Sequence, residues 1–263
     1  MLCAKIIDKN GKTVAVDTGE QEVNLSVARE YEEGDRICIE FSEKPCYVWL
    51  QVDDALGESL VYVQEDIQYV IPFGEKKVHL SPKAFSGNRH LIHVRRAHEF
   101  EKRGYRNLAL NVNDQHENTM SFPHASANVE TRGESVFAAQ NAIDGVTANH
   151  SHGEWPYASW GINRDPNAKI RIDFGREVAV DRMVIYLRAD FPHDNWWEQA
   201  TAAFSDGTSL KLSFRKTDEG QEFIFDTKKI CWLELFDLIA SSEPSPFPAL
   251  TQLEVYGTEA EEV

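Results

Sequence analysis

Ala168-Lys169-Ile170-Arg171-Ile172-Asp173-Phe174-Gly175 is the stretch that decides the fold class. Ala168, Ile170, Ile172 and Phe174 alternate with Lys169, Arg171 and Asp173, the period-two pattern of a strand with one face in a core and the other in water. Gly175 then marks a turn that the Asp173 carboxylate can cap. The same alternation recurs downstream. Leu210, Leu212 and Phe214 alternate with Lys211, Ser213 and Arg215, behind the hairpin signal Phe204-Ser205-Asp206-Gly207-Thr208. Phe223 and Phe225, residues 230–235, and Leu253 with Val255 and Gly257 complete that half. Upstream, residues 22–27, 35–41, 47–52, 59–63, 90–94 and 107–112 read as further strands, with Ile37, Ile39 and Phe41 on one face. Turn residues at such short intervals imply antiparallel sandwiches rather than β-α-β units. Helix is scarce. Residues 134–142 predict one or two turns ended by Asp144-Gly145, and residues 97–103 a short helix ended by Gly104.

The chain of 263 residues suits two domains of ordinary size. The polar segment Asn113-Asp114-Gln115-His116-Glu117-Asn118-Thr119 follows the last strand of the first half. It sets the expected division at 1–116 and 117–263, both β-sandwiches. No apolar run approaches the roughly 20 residues of a bilayer span. The start, Met1-Leu2-Cys3-Ala4-Lys5, has no apolar leader segment, so a cytoplasmic location is expected. The net charge of −16 argues against nucleic acid or an anionic membrane as a partner. Cys3, Cys38, Cys46 and Cys231 have no C-x-x-C spacing and mostly sit in apolar runs, where they read as small buried hydrophobes.

Chemistry concentrates in Phe191-Pro192-His193-Asp194-Asn195-Trp196-Trp197, directly after the strand-like run 182–188. Adjacent side chains on an extended backbone point to opposite faces, so the two Trp rings cannot share one core. An aromatic face beside His, Asp and Asn suits a sugar, whose C–H face stacks while its hydroxyls need donors and acceptors. A second loop, Asn149-His150-Ser151-His152-Gly153-Glu154-Trp155-Pro156-Tyr157, adds another ring and two histidines. Arg188 ends its strand and projects toward the loop it feeds. His150, His152, His193 and Asp194 would equally form a transition-metal cluster. A catalytic version would use His193 or His152 as general base, oriented by a carboxylate. No nucleophile elbow, His-Glu-x-x-His, P-loop or dinucleotide fingerprint accompanies it. The Pro-rich stretch Ser242-Glu243-Pro244-Ser245-Pro246-Phe247-Pro248 is a pre-ordered loop whose Phe247 either packs beneath the aromatic loops or lines a ligand groove.

The second half resembles the discoidin-like, coagulation-factor C-domain-like modules of the galactose-binding superfamily. The matching pieces run in order over about 122–257: Ala125-Ser126-Ala127, Asn141-Ala142-Ile143-Asp144-Gly145, Ser159-Trp160-Gly161, Ile170 to Gly175, Phe204-Ser205-Asp206-Gly207, and Leu253-Glu254-Val255-Tyr256-Gly257. The resemblance implies a jelly-roll sandwich that binds ligands, usually glycans, with loops at one end. It also implies a structural calcium held by Asp144 and Glu254, with Asn149 where many members have Thr. Calcium needs six to eight oxygen ligands, so these would be only part of its shell. The first half carries no motif that assigns it to a family.

The expected protein is therefore all-β, two β-sandwich domains with the second a discoidin-like jelly roll, without catalytic residues. It binds a carbohydrate or polyol through His152, Trp155, Arg188, His193, Asp194, Trp196 and Trp197, with calcium at Asp144, Asn149 and Glu254. The alternatives are a metal-dependent enzyme acting on a sugar or small polar substrate at the same loops, and a protein-interaction scaffold.

Overall fold

The computed structural model describes residues 1–149, 155–188, 191 and 193–260, and is nearly all β. The first eight strands are β1 (Leu2–Ile7), β2 (Thr13–Gly19), β3 (Glu22–Val27), β4 (Arg36–Phe41), β5 (Cys46–Gln51), β6 (Ser59–Val63), β7 (Ile67–Val70) and β8 (His90–Arg96). They form two antiparallel sheets, β2-β1-β4-β7 and β6-β5-β8-β3. Alternate residues of both, such as Leu2, Ala4 and Ile6, Ile37, Ile39 and Phe41, and Val48 and Leu50, meet in one buried core. This is a sandwich, and its pattern was legible from the alternation alone.

The passage between the halves is more interwoven than a single boundary. After the one-turn helix α1 (Glu99–Lys102), the two-residue strand β9 (Arg106–Asn107) pairs with the last strand of the chain. Leu108 and Ala109 enter the second core, while Val112 packs against the first. Then β10 (Ser121–Phe122) returns to pair with β6. Residues 108–112 are not a strand as expected. Asn111 and Asn113 turn the chain instead: Asn113 N–H donates to Asn111 Oδ1 at 3.1 Å, and the Asn113 amide donates to the Leu50 carbonyl at 2.8 Å.

The second half adds β11 (His124–Ala127), β12 (Trp160–Gly161), β13 (Ile170–Leu187), β14 (Trp197–Phe204), β15 (Ser209–Ser213), β16 (Gln221–Ala240) and β17 (Ala249–Glu259). The expected helix over 134–142 appears as short 3-10 turns, Ser135–Phe137 and Ala139–Ile143. The hydrogen-bonded order is β12-β17-β13-β16-β14-β15, with β11 also on β13 and β9 on β17. The long strand β13 changes neighbours along its length. Ile170–Asp173 lies between β11 and residues 232–235 of β16, whereas Val178–Leu187 lies between β17 and residues 221–230 of β16. One strand thus serves both layers over a common core that includes Phe174, Val180, Ile185, Trp160 and Trp197.

The corner between those limbs is Gly175, at φ +67, with its N–H capped by Asp173 Oδ1 at 2.8 Å. Beside it the halves are clamped together. Arg176 forks onto Glu259 at 2.9 and 2.7 Å, and Tyr47 of the first sandwich donates to the same carboxylate at 2.6 Å. Burial pushes the Glu259 carboxyl up, but Arg176, Tyr47 and Arg106 together more than offset this and hold it below its ordinary range. Cys38 is buried as expected, but Cys231 is exposed, because the alternation of β16 turns it outward between Ile230 and Trp232. Among the described residues no helix is long and apolar enough to cross a membrane.

A methyl group at Gly175 would meet the Phe122 ring at 2.2 Å, in a backbone region that L side chains rarely adopt. Gly175→Ala is therefore expected to lower the unfolding free energy by about 1–3 kcal/mol. The reading is a lower urea midpoint at unchanged slope. An unchanged midpoint would show that the corner has no need of glycine.

Candidate functional site

At one end of the second sandwich, a hollow of about 360 Å³ opens between the 131–137 turns, the 161–164 turn, the end of β13 and the Pro-rich loop before β17. Its lining includes Phe137, Arg188, His193 and Phe247. Arg188 immediately follows β13, and its N–H donates to the Ala249 carbonyl at 2.9 Å, so the sheet ladder fixes where its side chain begins. The guanidinium forks onto Asp194, Nε to Oδ2 and Nη2 to Oδ1, both at 2.9 Å, and both side chains are buried. Such a planar two-point bond fixes orientation as well as charge. The Tyr157 ring lies 4.2 Å from the same guanidinium, and Asp194 Oδ1 is also 3.1 Å from His193 Nδ1. The His193 ring is partly exposed and stacks on Phe247, with centroids 5.5 Å apart and planes within 12°.

Phe247 is held by its loop, and the loop by Asn195. This buried amide donates to the carbonyls of Ser241, Glu243 and Ser245, the last at 2.7 Å. Its Oδ1 accepts from Ser241 Oγ at 2.6 Å, and Ser245 Oγ closes the clasp on the His193 carbonyl. Phe247 stays 39% exposed. Floor geometry is set by Gly161, where a Cβ would meet Thr131 Oγ1 at 2.6 Å and Phe137 at 3.2 Å.

Of the residues expected to bind ligand, Arg188, His193 and Asp194 come together here, Asp194 as the buried partner of the other two. The tryptophans do not join them. Trp197 is only 2% exposed and packs beside Trp160 with centroids 6.3 Å apart, so its indole offers no face to a ligand. Trp196 is partly buried against the core, its indole N–H directed at Glu243 Oε1 at 3.4 Å. Trp155 is 40% exposed but does not line the hollow. His150 and His152 lie outside the described residues. The aromatic surface of the hollow comes instead from Phe247 and Phe137.

Arg132, Asn163 and Arg164 line the hollow without having been singled out in the sequence. The available signal was local: Thr131-Arg132-Gly133 and Ile162-Asn163-Arg164-Asp165-Pro166 are turn compositions.

The residues implied for calcium lie on the 144–149 turn and on β17. Asp144 Oδ1 accepts from Val146 N–H at 2.8 Å, and Gly145 N–H donates to Gln252 Oε1 at 3.2 Å, two residues from Glu254 on the same face of β17. Burial pushes the Asp144 carboxyl up to about 8, and burial also raises Glu254, which accepts from Tyr256. Asn149 donates its amide to the Leu187 carbonyl at 3.2 Å, which leaves Oδ1 as the oxygen donor. Among the described residues, three His or carboxylate side chains come within metal-binding reach only at Asp53, Asp54 and His90. Both ring nitrogens of His90 are already engaged there, by Asp53 and by the Gly87 carbonyl, each at 3.2 Å.

No family model and no curated protein matches this chain. Solved structures similar to it are carbohydrate-binding modules. Chitosan-binding module 1 of a Paenibacillus sp. IK-5 chitosanase/glucanase is 18% identical over 57% of this chain and 98% of its own, with a TM-score of 0.40. The lectin domain of lectinolysin, complexed with Lewis B antigen, is 18% identical over 58% and 96%, at 0.42. The family 32 module of C. perfringens NanJ, complexed with galactose, is 18% identical over 50% and 91%, at 0.39.

Asn195→Ala should cost about 2–3 kcal/mol of stability, because it strips several buried partners at once. Hydrogen exchange in residues 241–248 should accelerate with it. Unaltered protection of that loop would remove Asn195 from the role of clasp.

Proposed function

We propose that this protein binds carbohydrate, without catalysis, in the hollow at the end of its second sandwich. One observation carries the reading: the Phe247 ring, 39% exposed and stacked with the His193 ring, lines the same hollow as an Arg188 side chain fixed by buried Asp194. Phe247 offers the C–H face of a pyranose an apolar surface, and the polar tips offer hydroxyls donors at fixed positions. Because the fork to Asp194 sets Arg188 before any ligand arrives, little side-chain freedom is lost on binding. A panel of mono- and oligosaccharides screened by thermal melting should contain members that raise the midpoint in proportion to the logarithm of their concentration. Phe247→Ala should weaken those members at least about tenfold, with little change in the melting of the free protein. A response that survives Phe247→Ala would move the sugar elsewhere, and no response from any member would leave the hollow as a contact surface for another protein.

A second reading concerns the 144–149 turn and β17 of the same sandwich. We propose a structural calcium held in part by Asp144, Asn149 and Glu254. The donors there are all oxygens, which suits a hard cation and not a thiolate- or imidazole-loving one. Bound, the ion would supply positive charge to a desolvated Asp144 and tie the 144–149 turn to β17. Calcium added after chelation should then raise the melting midpoint, with magnesium much less effective, and Asp144→Asn should abolish the response. Equal midpoints with chelator and with millimolar calcium would dispose of the ion.

A further inference from the structure

Resting on the reading of the hollow as a sugar site, we propose that its ligand is an acidic sugar whose carboxylate is received by Arg164 and Arg132. The chain carries a net charge of −16, yet three arginines, Arg132, Arg164 and Arg188, line this one hollow. No carboxylate lines it among the described residues. Asp194 compensates Arg188 from behind, and Glu134 holds Arg132 through Nε and Nη2 at 2.6 and 2.7 Å, which leaves Nη1 for another acceptor. Arg164 has no carboxylate partner among the described residues. Its guanidinium rests 4.7 Å from the Phe247 ring centroid, at the aromatic surface where a sugar would lie. A cation held on a ring, with no counter-ion among the described residues, is a ready receiver for an anion, and guanidinium geometry matches a carboxylate with two parallel bonds.

The backbone independently singles out the same residues. Five described non-glycine residues have positive φ: Phe85, Arg132, Asn163, Arg164 and Asp237. Three of the five line the hollow, two of them its arginines. Left-handed backbone is unfavourable for a long side chain and persists where the surroundings enforce it, which is commonest at binding sites. Here the enforcing bond is visible. Thr131 Oγ1 accepts from Asn163 N–H at 3.0 Å and so ties the two arginine-bearing turns to each other. That tie holds together the two turns from which both arginines reach the hollow. A neutral sugar has no use for it, whereas a uronic acid, which differs from a neutral hexose by a carboxylate in place of the C6 hydroxymethyl, supplies the missing charge.

Titration calorimetry at low salt with galacturonate, glucuronate and N-acetylneuraminate, set beside galactose and glucose, tests this on the full chain. At least one acid should bind about tenfold or more tightly than the neutral sugars. Sodium chloride at 0.5 M should narrow that gap. Arg164→Gln should reduce the preference to within about threefold, with the melting midpoint of the free protein retained; Arg132→Gln gives the same reading should the first variant fold poorly. Phe247→Ala should weaken acid and neutral sugars alike. Galactose or glucose binding as tightly as its acid, with the loss in Phe247→Ala preserved, overturns the acidic ligand and leaves the sugar site standing. Absence of binding by every sugar, acidic and neutral, overturns both.

Discussion

The ladder of β13 is the constraint from which the rest of the second sandwich follows. Its 18 residues pair with β11, β16 and β17 in turn, so its course sets the register of both layers. The corner at Gly175 divides it. The next residue, Arg176, makes the ionic junction with the first sandwich, and the residue just past its other end, Arg188, enters the hollow. Twelve residue steps of extended chain lead from one arginine to the other, on the order of 40 Å before bends are subtracted. The junction with the first sandwich and the hollow are thus set by the two ends of one limb of this strand.

The limb of this strand that follows Gly175 is flanked at each end by a desolvated arginine–carboxylate fork, and such pairs are seldom worth much as stabilisers, because removing both charges from water costs about as much as their attraction returns. Their contribution is orientation. A hydrophobic pair at 188 and 194 would fill the same volume but would leave the turn before β14 free to rotate. With the fork in place, the Asp194 carboxylate also meets His193, and the His193 carbonyl receives Ser245 Oγ from the Pro-rich loop. Strand, turn and loop are linked through one buried anion, and Phe247 takes its position from that linkage and from Asn195.

The all-β class, both sandwiches and several turns were legible because alternation of apolar residues reports directly on a half-buried strand. The Asp206-Gly207 hairpin and the Asp173 cap appear where the composition put them, with Thr208 N–H on Asp206 Oδ1 at 2.8 Å. Bulges were not legible. Ile170, Ile172, Phe174, Val178 and Val180 face inward at even positions, but the irregularity between Val180 and Arg182 shifts the phase, and Met183, Ile185 and Leu187 become the buried set. A single extra residue thus reverses which side chains meet water, and no composition rule marks it. Trp197 shows a related limit. Its polar neighbours suggested a surface ring, but β14 begins at this residue and its first side chain turns inward onto Trp160. Arg132 and Arg164 were not legible, because what sets them apart is left-handed backbone and convergence on one hollow from separate turns.

Phe247 does not present an open face in the manner of an isolated tryptophan platform. His193 stacks on it and Arg164 rests over it, yet 39% of the residue remains exposed. A ligand that relied on the ring alone would have to displace a cation that the ring attracts, and so would forfeit part of what stacking offers. A ligand that brings its own anion meets the opposite situation: it draws Arg164 off the ring into a charge-assisted bond and uncovers the surface that its pyranose then occupies. The two interactions cease to compete only when the sugar is charged. The contact between Arg164 and Phe247 is therefore an argument about ligand chemistry as much as about packing.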